Sequence, residues 1–368
     1  MSELNASNLR KEKGNEGPDL VGLTELTSPY YMVPPSGSTG DRPQNPEKGT
    51  LRFNTDVGSL EYFKGDTIGW ESIDRITPNL NGGARGVFMG GFGEPTAYDI
   101  IEYVTISTLG NVTDFGNLLA SEGEGNAFSS STRGFYFGGD PADNEIERIT
   151  FASTGNAVDA GDLTATSKTG TGLANATRGI AYLNNGDTIN YYTMASSGNA
   201  VDFGNATFSG GTNGMGYASS TRGVYGGVWV SPASLNTLDY ITIATTGNAA
   251  DFGDLTVAQH GASGASNATR GVCMGGYTYP SPDASTNVIN YVTIATLGNA
   301  IDFGDCTANH YTAGSSSPTR MISGGGGTPF TNAIQYVEIL TTGNAQDFGD
   351  LSTTRRHLEC CSNGHGGL

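Results

Sequence analysis

The sequence predicts an all-β protein whose main part is a six-bladed β-propeller, preceded by an extended N-terminal arm and a small β-hairpin module. Three observations support this prediction. Glycine is unusually frequent, with 56 residues among 368, and only 15% of the residues are charged. Short stretches of Val, Ile, Tyr and Thr alternate with Gly, Asn, Asp and Ser, which is typical of short strands and turns and not of helical bundles. A motif of strand composition also recurs six times.

The first 76 residues differ from the rest of the chain. Residues 1–48 are rich in Ser, Asn, Gly, Pro, Lys and Glu and have too few apolar residues to form a core. We therefore expect an extended arm that becomes ordered on a partner. In residues 49–76, apolar and polar residues alternate on both sides of Thr55–Gly58. This pattern predicts a hairpin, followed by a short third strand at 69–73.

The repeat fills residues 77–368. Each unit contains Thr-Arg-Gly or a close variant, a glycine pair, a stretch like Tyr-Val-Thr-Ile-Ala-Thr and a segment like Gly-Asn-Ala-x-Asp-Phe-Gly-Asp-Leu. A unit of this length accommodates four short antiparallel strands, which is the size of a propeller blade. Its arginine recurs every 44 to 50 residues, at Arg85, Arg133, Arg178, Arg222, Arg270 and Arg320.

The fifth unit illustrates the assignment of strands. Runs of strand composition cover 270–276 and 288–295, a shorter strand is predicted at 298–304, and another fits 256–264. The segment 351–363 aligns with the part that precedes Thr-Arg-Gly in other units, and the first unit lacks that part. We therefore expect the C-terminal strand to complete the first blade and close the propeller.

These motifs resemble the repeat of kelch-type β-propellers, which carries a double glycine after its second strand and a tyrosine in its third. Residues 184–186 replace the double glycine in the third unit. The kelch tryptophan of the last strand is absent, and Ala160 in the second unit and phenylalanines elsewhere take its place, namely Phe115, Phe203, Phe252, Phe303 and Phe348. The resemblance implies a divergent, kelch-like fold over residues 80–368 and no particular partner.

A second resemblance concerns the origin of the chain. The stretch 40–73, which contains Thr50-Leu-Arg-Phe-Asn-Thr, resembles a small module of tail and fibre proteins of tailed bacteriophages. The repeated Tyr-Val-Thr-Ile-Ala-Thr and Asp-Phe-Gly-Asp-Leu phrases are similar to those of predicted structural proteins of marine phages, cyanophages in particular. These resemblances imply a virion protein made in the host bacterial cytoplasm. Residues 1–76 would anchor it to other virion proteins, and the propeller would serve host attachment or tail or capsid assembly.

The charge and hydropathy of the chain exclude several classes of partner. It has 36 Asp and Glu against 18 Lys and Arg, a formal net charge of -18, which repels nucleic acid and anionic lipid. No stretch is long and apolar enough to cross a membrane, and the N-terminal residues lack the apolar core of a secretion signal. We expect no nucleic-acid partner and no membrane insertion.

No motif indicates a catalytic centre, a cofactor or a metal site, so a non-enzymatic role is predicted. Four cysteines form no C-x-x-C pair and are expected to be free thiols in a β core, namely Cys273, Cys306, Cys360 and Cys361. The histidines lie in or near first strands without a nucleophile and an acid at a catalytic spacing, and they are His260, His310, His357 and His365.

Two repeated polar features have alternative interpretations. The pairs Asp251/Asp254, Asp302/Asp305 and Asp347/Asp350 can bind calcium between blades, although aspartates more often cap turns through their own backbone. The six repeated arginines can form a ring around a ligand. Their place at a strand start, opposite acidic blade edges, favours structural pairing between neighbouring blades instead.

The loop after the double glycine varies between units, and repeat proteins place binding residues in such loops. Its aromatic residues are candidates for a platform that stacks on sugar rings or contacts another virion protein, namely Phe92, Trp229, Tyr277, Tyr279 and Phe330. Local packing over the blade tops is the simpler alternative. A propeller that binds or cleaves a host surface polysaccharide is therefore the alternative function. A bacterial adhesin is a third possible function, and the missing secretion signal argues against it.

Overall fold

A computed structural model of the protein describes residues 34–56, 59–67, 69–72, 83–93, 95–327 and 329–368. The prediction of an all-β fold is confirmed, and the strands form small, mostly antiparallel sheets. Contacts divide the chain into two units, Met1–Ile76 and Thr77–Leu368, and each is described by itself. In the described part of the chain, no helix has the length and hydropathy needed to span a membrane.

The described residues of the first unit form one four-stranded sheet with the strand order β1-β2-β3-β4. It comprises β1 (Ser36–Gly37), a 3₁₀ turn at Thr39–Asp41, β2 (Leu51–Asn54), β3 (Ser59–Phe63) and β4 (Trp70–Ser72). The strands β2 and β3 form the predicted hairpin, and β1 pairs in parallel with β2. The sheet therefore includes residues that we assigned to the extended arm. Residues 1–33 of that arm lie outside the described residues.

Polar contacts at Glu61 hold this added segment. The buried Glu61 carboxylate accepts hydrogen bonds from Arg42 Nη2 at 2.6 Å and from Arg52 Nη1 at 3.2 Å. The hydrogen bond from Arg42 is the main cause of a lowered pKa at Glu61. Arg52 also donates to the backbone carbonyl of Ser38 at 2.9 Å. This segment has no alternation of apolar and polar residues and is attached to the sheet through arginines. Its sequence therefore gives no sign of a strand, which is why we assigned it to the extended arm.

In the second unit, the residues from 83 onward that the structure describes form six four-stranded sheets, which we number in chain order. Sheet 1 begins with β5 (Arg85–Met89), β6 (Phe92–Gly93), β7 (Thr96–Ala97), β8 (Ile100–Thr105) and β9 (Thr113–Asn117), of which β6 and β7 form a separate hairpin. Sheet 2 consists of β10 (Asn126–Ser129), β11 (Arg133–Phe137), β12 (Asp143–Thr150) and β13 (Val158–Ser167). Sheet 3 consists of β14 (Thr171–Ala174), β15 (Arg178–Tyr182), β16 (Thr188–Thr193) and β17 (Val201–Asn205).

The remaining sheets follow the same plan, with hairpins after the second strand in two of them. Sheet 4 contains β18 (Met215–Ala218), β19 (Arg222–Gly226), the hairpin β20 (Trp229–Val230) and β21 (Ala233–Ser234), β22 (Thr237–Thr242) and β23 (Ala250–Asp254). Sheet 5 contains β24 (Ser263–Ser266), β25 (Arg270–Met274), the hairpin β26 (Tyr277–Thr278) and β27 (Ala284–Ser285), β28 (Val288–Thr293) and β29 (Ile301–Asp305). Sheet 6 contains β30 (Ala313–Ser316), β31 (Arg320–Gly324), β32 (Ala333–Glu338) and β33 (Gln346–Asp350).

Sheet 1 takes its first strand from the far end of the repeat region. The strand β34 (Glu359–Ser362) pairs antiparallel with β5. Just before β34, the buried Arg355 Nη2 lies 2.5 Å from Glu102 Oε1 of β8. Because a buried charge is stable only with a partner, this ion pair ties the segment before β34 to sheet 1.

The first strand of sheet 5 begins later than we expect from the sequence. We predict a strand at 256–264, but β24 covers Ser263–Ser266 and residues 256–262 form a loop. First strands are rich in Gly, Ala and Ser because they approach one another closely. A Cβ on Gly172 of β14, for example, would lie 2.0 Å from the Ala127 carbonyl oxygen of β10. Such small residues have low strand propensity, which explains the misplaced boundary.

Neighbouring sheets contact one another in cyclic order. The first strands pack in the order β10, β14, β18, β24, β30 and β34, and β34 packs against β10 again. Along the outer edge, Gly155 N of sheet 2 donates to Phe115 O of sheet 1 at 2.7 Å, and Gly110 N of sheet 1 donates to Phe348 O of sheet 6 at 2.9 Å. Each of six buried apolar clusters combines residues of two adjacent sheets.

Residues 363–368 cross the ends of the first strands. His365 Nε2 lies 2.8 Å from the Ser129 carbonyl oxygen at the end of β10. A Cβ on Gly367 would lie 1.9 Å from the Ala174 carbonyl oxygen at the end of β14. Only glycine fits this close approach, and the segment closes one side of the space between the first strands.

Candidate functional site

A cleft of about 900 Å³ opens on the side of the sheets opposite residues 363–368. It lies where the loops before the first strands meet the loops after the second strands, so sheets 2 to 6 all contribute to it. A cavity of this size is typical of sites for small ligands. The side chains that line it include Glu124, Lys168, Asn213, Trp229, His260, Tyr277, Tyr279, Asp283, His310 and Tyr311.

A cycle of six backbone hydrogen bonds forms the floor of the cleft, and we call it the backbone ring. It takes one residue from the loop before each first strand, and each N–H donates to the carbonyl of the preceding member at 2.6 to 3.0 Å. All six residues have a positive φ, between 51° and 63°. In order, the members are Glu124, Thr169, Asn213, Gly261, Tyr311 and His357.

The conformation of the backbone ring is unusual because five of its six members are not glycine. A left-handed conformation costs such a residue on the order of 1–3 kcal/mol, and it persists only where the surroundings enforce it. Here the six hydrogen bonds supply that constraint. The ring therefore fixes the side chains at the base of the cleft in position, as a binding site requires.

Three histidines surround Tyr311 at the base of the cleft. The Tyr311 ring stacks on His357 with centroids 4.0 Å apart, and the His310 ring lies 4.6 Å away. The Tyr311 hydroxyl lies 3.3 Å from His260 Nε2. Burial lowers the pKa of His260 and His310 to about 4 and that of His357 to about 3. The imidazoles are therefore neutral near pH 7.

The charged side chains of the cleft already have partners. Lys168 Nζ lies 2.9 Å from Glu124 Oε2 and 3.1 Å from Asp140 Oδ2. The Tyr277 hydroxyl donates a hydrogen bond to Asp283 Oδ1 at 2.7 Å, which raises the pKa of Tyr277. The cleft thus offers aromatic faces and neutral hydrogen-bonding groups to a ligand.

The structure brings together three of the five aromatic residues that we predicted for ligand binding. Trp229, Tyr277 and Tyr279 line the cleft, and Tyr279 is 41% exposed. The other two lie beside Arg356 instead and are not among the residues that line the cleft. The Phe330 ring is 4.8 Å from the Arg356 guanidinium, and Phe92 forms a β-bridge with Arg356.

Sequence reasoning missed Glu124, Lys168 and Tyr311 as part of the site. They lie in the segments before the first strands, which we assigned to strands, whereas the structure has loops there. A signal was present, because the six members of the backbone ring differ in residue type while the neighbouring Thr-Arg-Gly and Asp-Phe-Gly motifs repeat. Variable positions within a repeat indicate a binding face.

The six repeated arginines connect adjacent sheets and do not line the cleft. Each donates from Nη1 to a backbone carbonyl next to the third strand of the following sheet. Arg270, for example, donates to Ile339 O at 2.9 Å, and its guanidinium lies 4.3 Å from the Tyr291 ring centroid. The partners between sheets are thus carbonyls and not the acidic blade edges that we expected.

The aspartate pairs lie in the last strands of sheets 4, 5 and 6 and not in turns, contrary to the turn-capping expectation. Within the described ranges, no three or more His, Cys, Asp or Glu side chains are close enough together to bind a metal ion. All four cysteines are free thiols, and Cys306 alone is half-buried while the other three are buried.

A comparison with protein-family models found no match to the chain, and a comparison with curated proteins found no significantly similar one. The resemblances to kelch-type propellers and to phage structural proteins therefore stay predictions from motifs.

Proposed function

We propose that the protein is a non-enzymatic carbohydrate-recognition protein of a bacteriophage virion, in which a six-bladed propeller presents the cleft to a saccharide of the host surface. The observation that carries this proposal is the composition of the cleft. Trp229, Tyr277 and Tyr279 line it beside uncharged imidazole, hydroxyl and amide groups. Aromatic faces stack on sugar rings, and neutral polar groups bind sugar hydroxyls.

The cyclic order of the sheets supports the propeller. Each sheet has four strands, its first strand packs against the first strands of both neighbours, and sheet 6 contacts sheet 1. A propeller has the same radial arrangement of four-stranded sheets around a central channel. On this interpretation, β34 closes the ring by completing the first blade.

The partners of the acidic side chains favour binding over cleavage. Glycoside hydrolysis uses two carboxyl groups that flank the scissile bond. In this cleft, Glu124 is paired with Lys168, and Asp283 accepts the Tyr277 hydroxyl. Both carboxyl groups are engaged in these contacts, so we assign the cleft a recognition role.

The assignment to a virion rests on the sequence of residues 40–73 and on the repeated strand motifs. We propose that residues 1–76 attach the protein to other virion proteins and that the second unit is displayed. Because sheets arranged in a closed ring leave few exposed edges, such a unit suits a particle that persists outside cells.

Binding of the full-length protein to cells of candidate marine hosts, and to their purified surface polysaccharides, tests the recognition role. Trp229→Ala and Tyr279→Ala should each weaken binding roughly tenfold, because each removes a stacking surface. Phe330→Ala is the matched control, since it removes an aromatic ring that does not line the cleft.

Two results would contradict the proposal. Unchanged binding by Trp229→Ala and Tyr279→Ala would mean that these residues only pack locally, and an absence of binding to every host and polysaccharide would remove the recognition role. Release of shorter saccharides during incubation would instead favour the carbohydrate-cleaving alternative.

A further inference from the structure

A second, smaller cavity of about 30 Å³ lies on the other side of the backbone ring from the cleft. Its lining includes Asn126 and Glu359, the first residues of β10 and β34, and Thr312, which precedes β30. All six members of the backbone ring line this cavity, and four of them also line the cleft, so the ring lies between the two spaces. The four shared residues are Glu124, Thr169, Asn213 and Tyr311. A cavity of this volume has room for a water molecule or a small ion and little else.

Several polar atoms at this cavity have no hydrogen-bond partner. They are Asn126 Nδ2, Thr312 Oγ1 and, directly beside Gly214 of the lining, Thr171 Oγ1. Glu124 Oε2, also in the lining, accepts no hydrogen bond but lies 2.9 Å from Lys168 Nζ. Asn126 is 5% exposed and Thr171 is 3% exposed. Buried polar groups in folded proteins almost always have a partner, and an exception indicates a bound water or ion. The amide of Asn126 can present its oxygen in place of its nitrogen by rotation.

The same cavity holds a carboxyl group that lacks a counter-charge. Glu359 accepts a hydrogen bond from the backbone N–H of Cys360, and in the described part of the chain no Lys, Arg or His forms an ion pair with it. Burial raises the pKa of Glu359 to about 8. Glu359 is half-buried as a residue, and a carboxylate that faces a small cavity without a cation is unfavourable. This group therefore needs either a proton or a positive ion.

We propose that the cavity binds one monovalent cation, Na⁺ or K⁺, with the Glu359 carboxylate as the charged ligand and the oxygens of Asn126 and Thr312 as neutral ligands. Hard cations prefer oxygen ligands of these kinds. The other carboxylate of the lining, Glu124, is already paired with Lys168. One positive charge therefore balances the Glu359 carboxylate, whereas a divalent ion would leave an excess charge in a buried place.

A cation explains both observations at once. A proton would neutralise Glu359 but would leave Asn126 and Thr312 without partners. Water would satisfy these two residues but would leave the carboxylate without a counter-charge. A cation coordinated by the oxygens of all three residues does both.

The test uses full-length protein that has been unfolded and refolded in choline chloride, so that no small cation is carried over. Thermal melting is then recorded with NaCl, KCl, CaCl₂ or choline chloride at constant ionic strength. We expect Na⁺ or K⁺ to raise Tm by roughly 2 °C or more over choline. Elemental analysis of the dialysed protein should find one such ion per chain.

Three variants identify the site. Glu359→Gln should abolish both the bound ion and the Tm difference. Thr312→Val, which keeps the side-chain shape, should weaken the dependence on the ion several-fold and serves if Glu359→Gln does not fold. Asp114→Asn makes the same charge change on the exposed strand β9 and should behave like the wild type.

The proposal is overturned if Tm is the same in NaCl, KCl and choline chloride, or if Glu359→Gln keeps the ion. A response to Ca²⁺ without a response to Na⁺ or K⁺ would also overturn the assignment of a monovalent ion.

Discussion

Acidic side chains are concentrated around β12 in sheet 2, where they are partly or wholly buried. Glu147 is 3% exposed and Glu122 is 7% exposed. Burial, together with the nearby Glu145 and Asp143 carboxylates, raises the pKa of Glu147 to about 7. Burial and the Asp143 carboxylate also raise the pKa of Glu122. These groups favour the protonated form in the folded protein, so they link its stability to pH.

We predict that Glu147→Gln removes part of this dependence of stability on pH. In the unfolded chain Glu147 titrates near 4.5, so from that pH to about 7 the folded protein keeps a proton that the unfolded chain releases, and stability falls as pH rises. As the pH rises from 5 to 8, the free energy of unfolding of the variant should therefore increase by on the order of 2 kcal/mol relative to that of the wild type. Urea unfolding of both proteins at the two pH values measures this difference.

The difference in stability between Glu147→Gln and the wild type does not depend on the histidines of the cleft. Their lowered pKa values make stability fall as pH decreases below 6.5, but they are present in both proteins and cancel in the difference. Asp114→Asn, on an exposed edge strand, is the control. A constant difference between Glu147→Gln and the wild type across pH would contradict the prediction.

The recurring Gly-Asn and Asp-Phe-Gly segments form the contact between adjacent sheets at their outer edge. Gly343 N of sheet 6 donates to Phe303 O of sheet 5 at 2.8 Å, and Asp305 N donates to Asn344 Oδ1 at 3.0 Å. A Cβ on Gly304 would lie 2.4 Å from the Gly343 carbonyl oxygen. The motif thus repeats because each copy forms one half of a contact with the copy in the next sheet.

Alanine substitutions at two glycines of sheet 5 distinguish the cost of backbone strain from the cost of a steric clash. Gly298 and Gly304 both have a φ of 149°, but only Gly304 faces the neighbouring backbone, since nothing lies within 4 Å of a Cβ on Gly298. We expect Gly298→Ala to lose about 1–3 kcal/mol from conformational strain. Gly304→Ala should lose clearly more, because sheet 6 must also move away. Equal losses in thermal or urea unfolding would show that the contact contributes little.

At the scale of elements, the sequence predicts those strands whose stability is local. The strands β25 and β28 contain the Val, Ile and Tyr residues that mark strands, and both were assigned from composition. The strand β24 has the sequence Ser-Gly-Ala-Ser and forms only because it packs between two similar strands. The same holds for the residues of the cleft: those within one local segment could be predicted, and those that depend on tertiary contacts could not. Trp229 and Tyr279 were each found from the variable loop within a single unit. Glu124 and Tyr311, in contrast, belong to a site only after sheets from distant parts of the chain come together.

At the scale of the molecule, the division of the chain at residue 76 suggests two separable tasks. We predict that a protein lacking residues 1–76 is not incorporated into virions, because these residues carry the proposed attachment to the particle. Cell binding through the cleft should survive this deletion, since every residue lining the cleft belongs to the second unit. Complementation of a phage that lacks the gene, followed by immunodetection on purified particles, measures incorporation.

Two controls make the deletion interpretable. The truncated protein must show a cooperative melting transition, which excludes misfolding as the cause of any loss. Arg52→Met is the finer variant, because it removes a guanidinium that joins Glu61 to Ser38 within the first unit. Normal incorporation of the truncated protein would assign attachment to the second unit.

The pairing of β34 with β5 also determines when sheet 1 can be completed during translation. The strands β5, β8 and β9 emerge from the ribosome first, but their partner is synthesised only after every strand of sheets 2 to 6. Until residues 359–362 leave the exit tunnel, the nascent chain presents the open edge of β5, including Val87 and Phe88. A chaperone, or a short peptide with the sequence of β34, would have its clearest opportunity to bind during that interval.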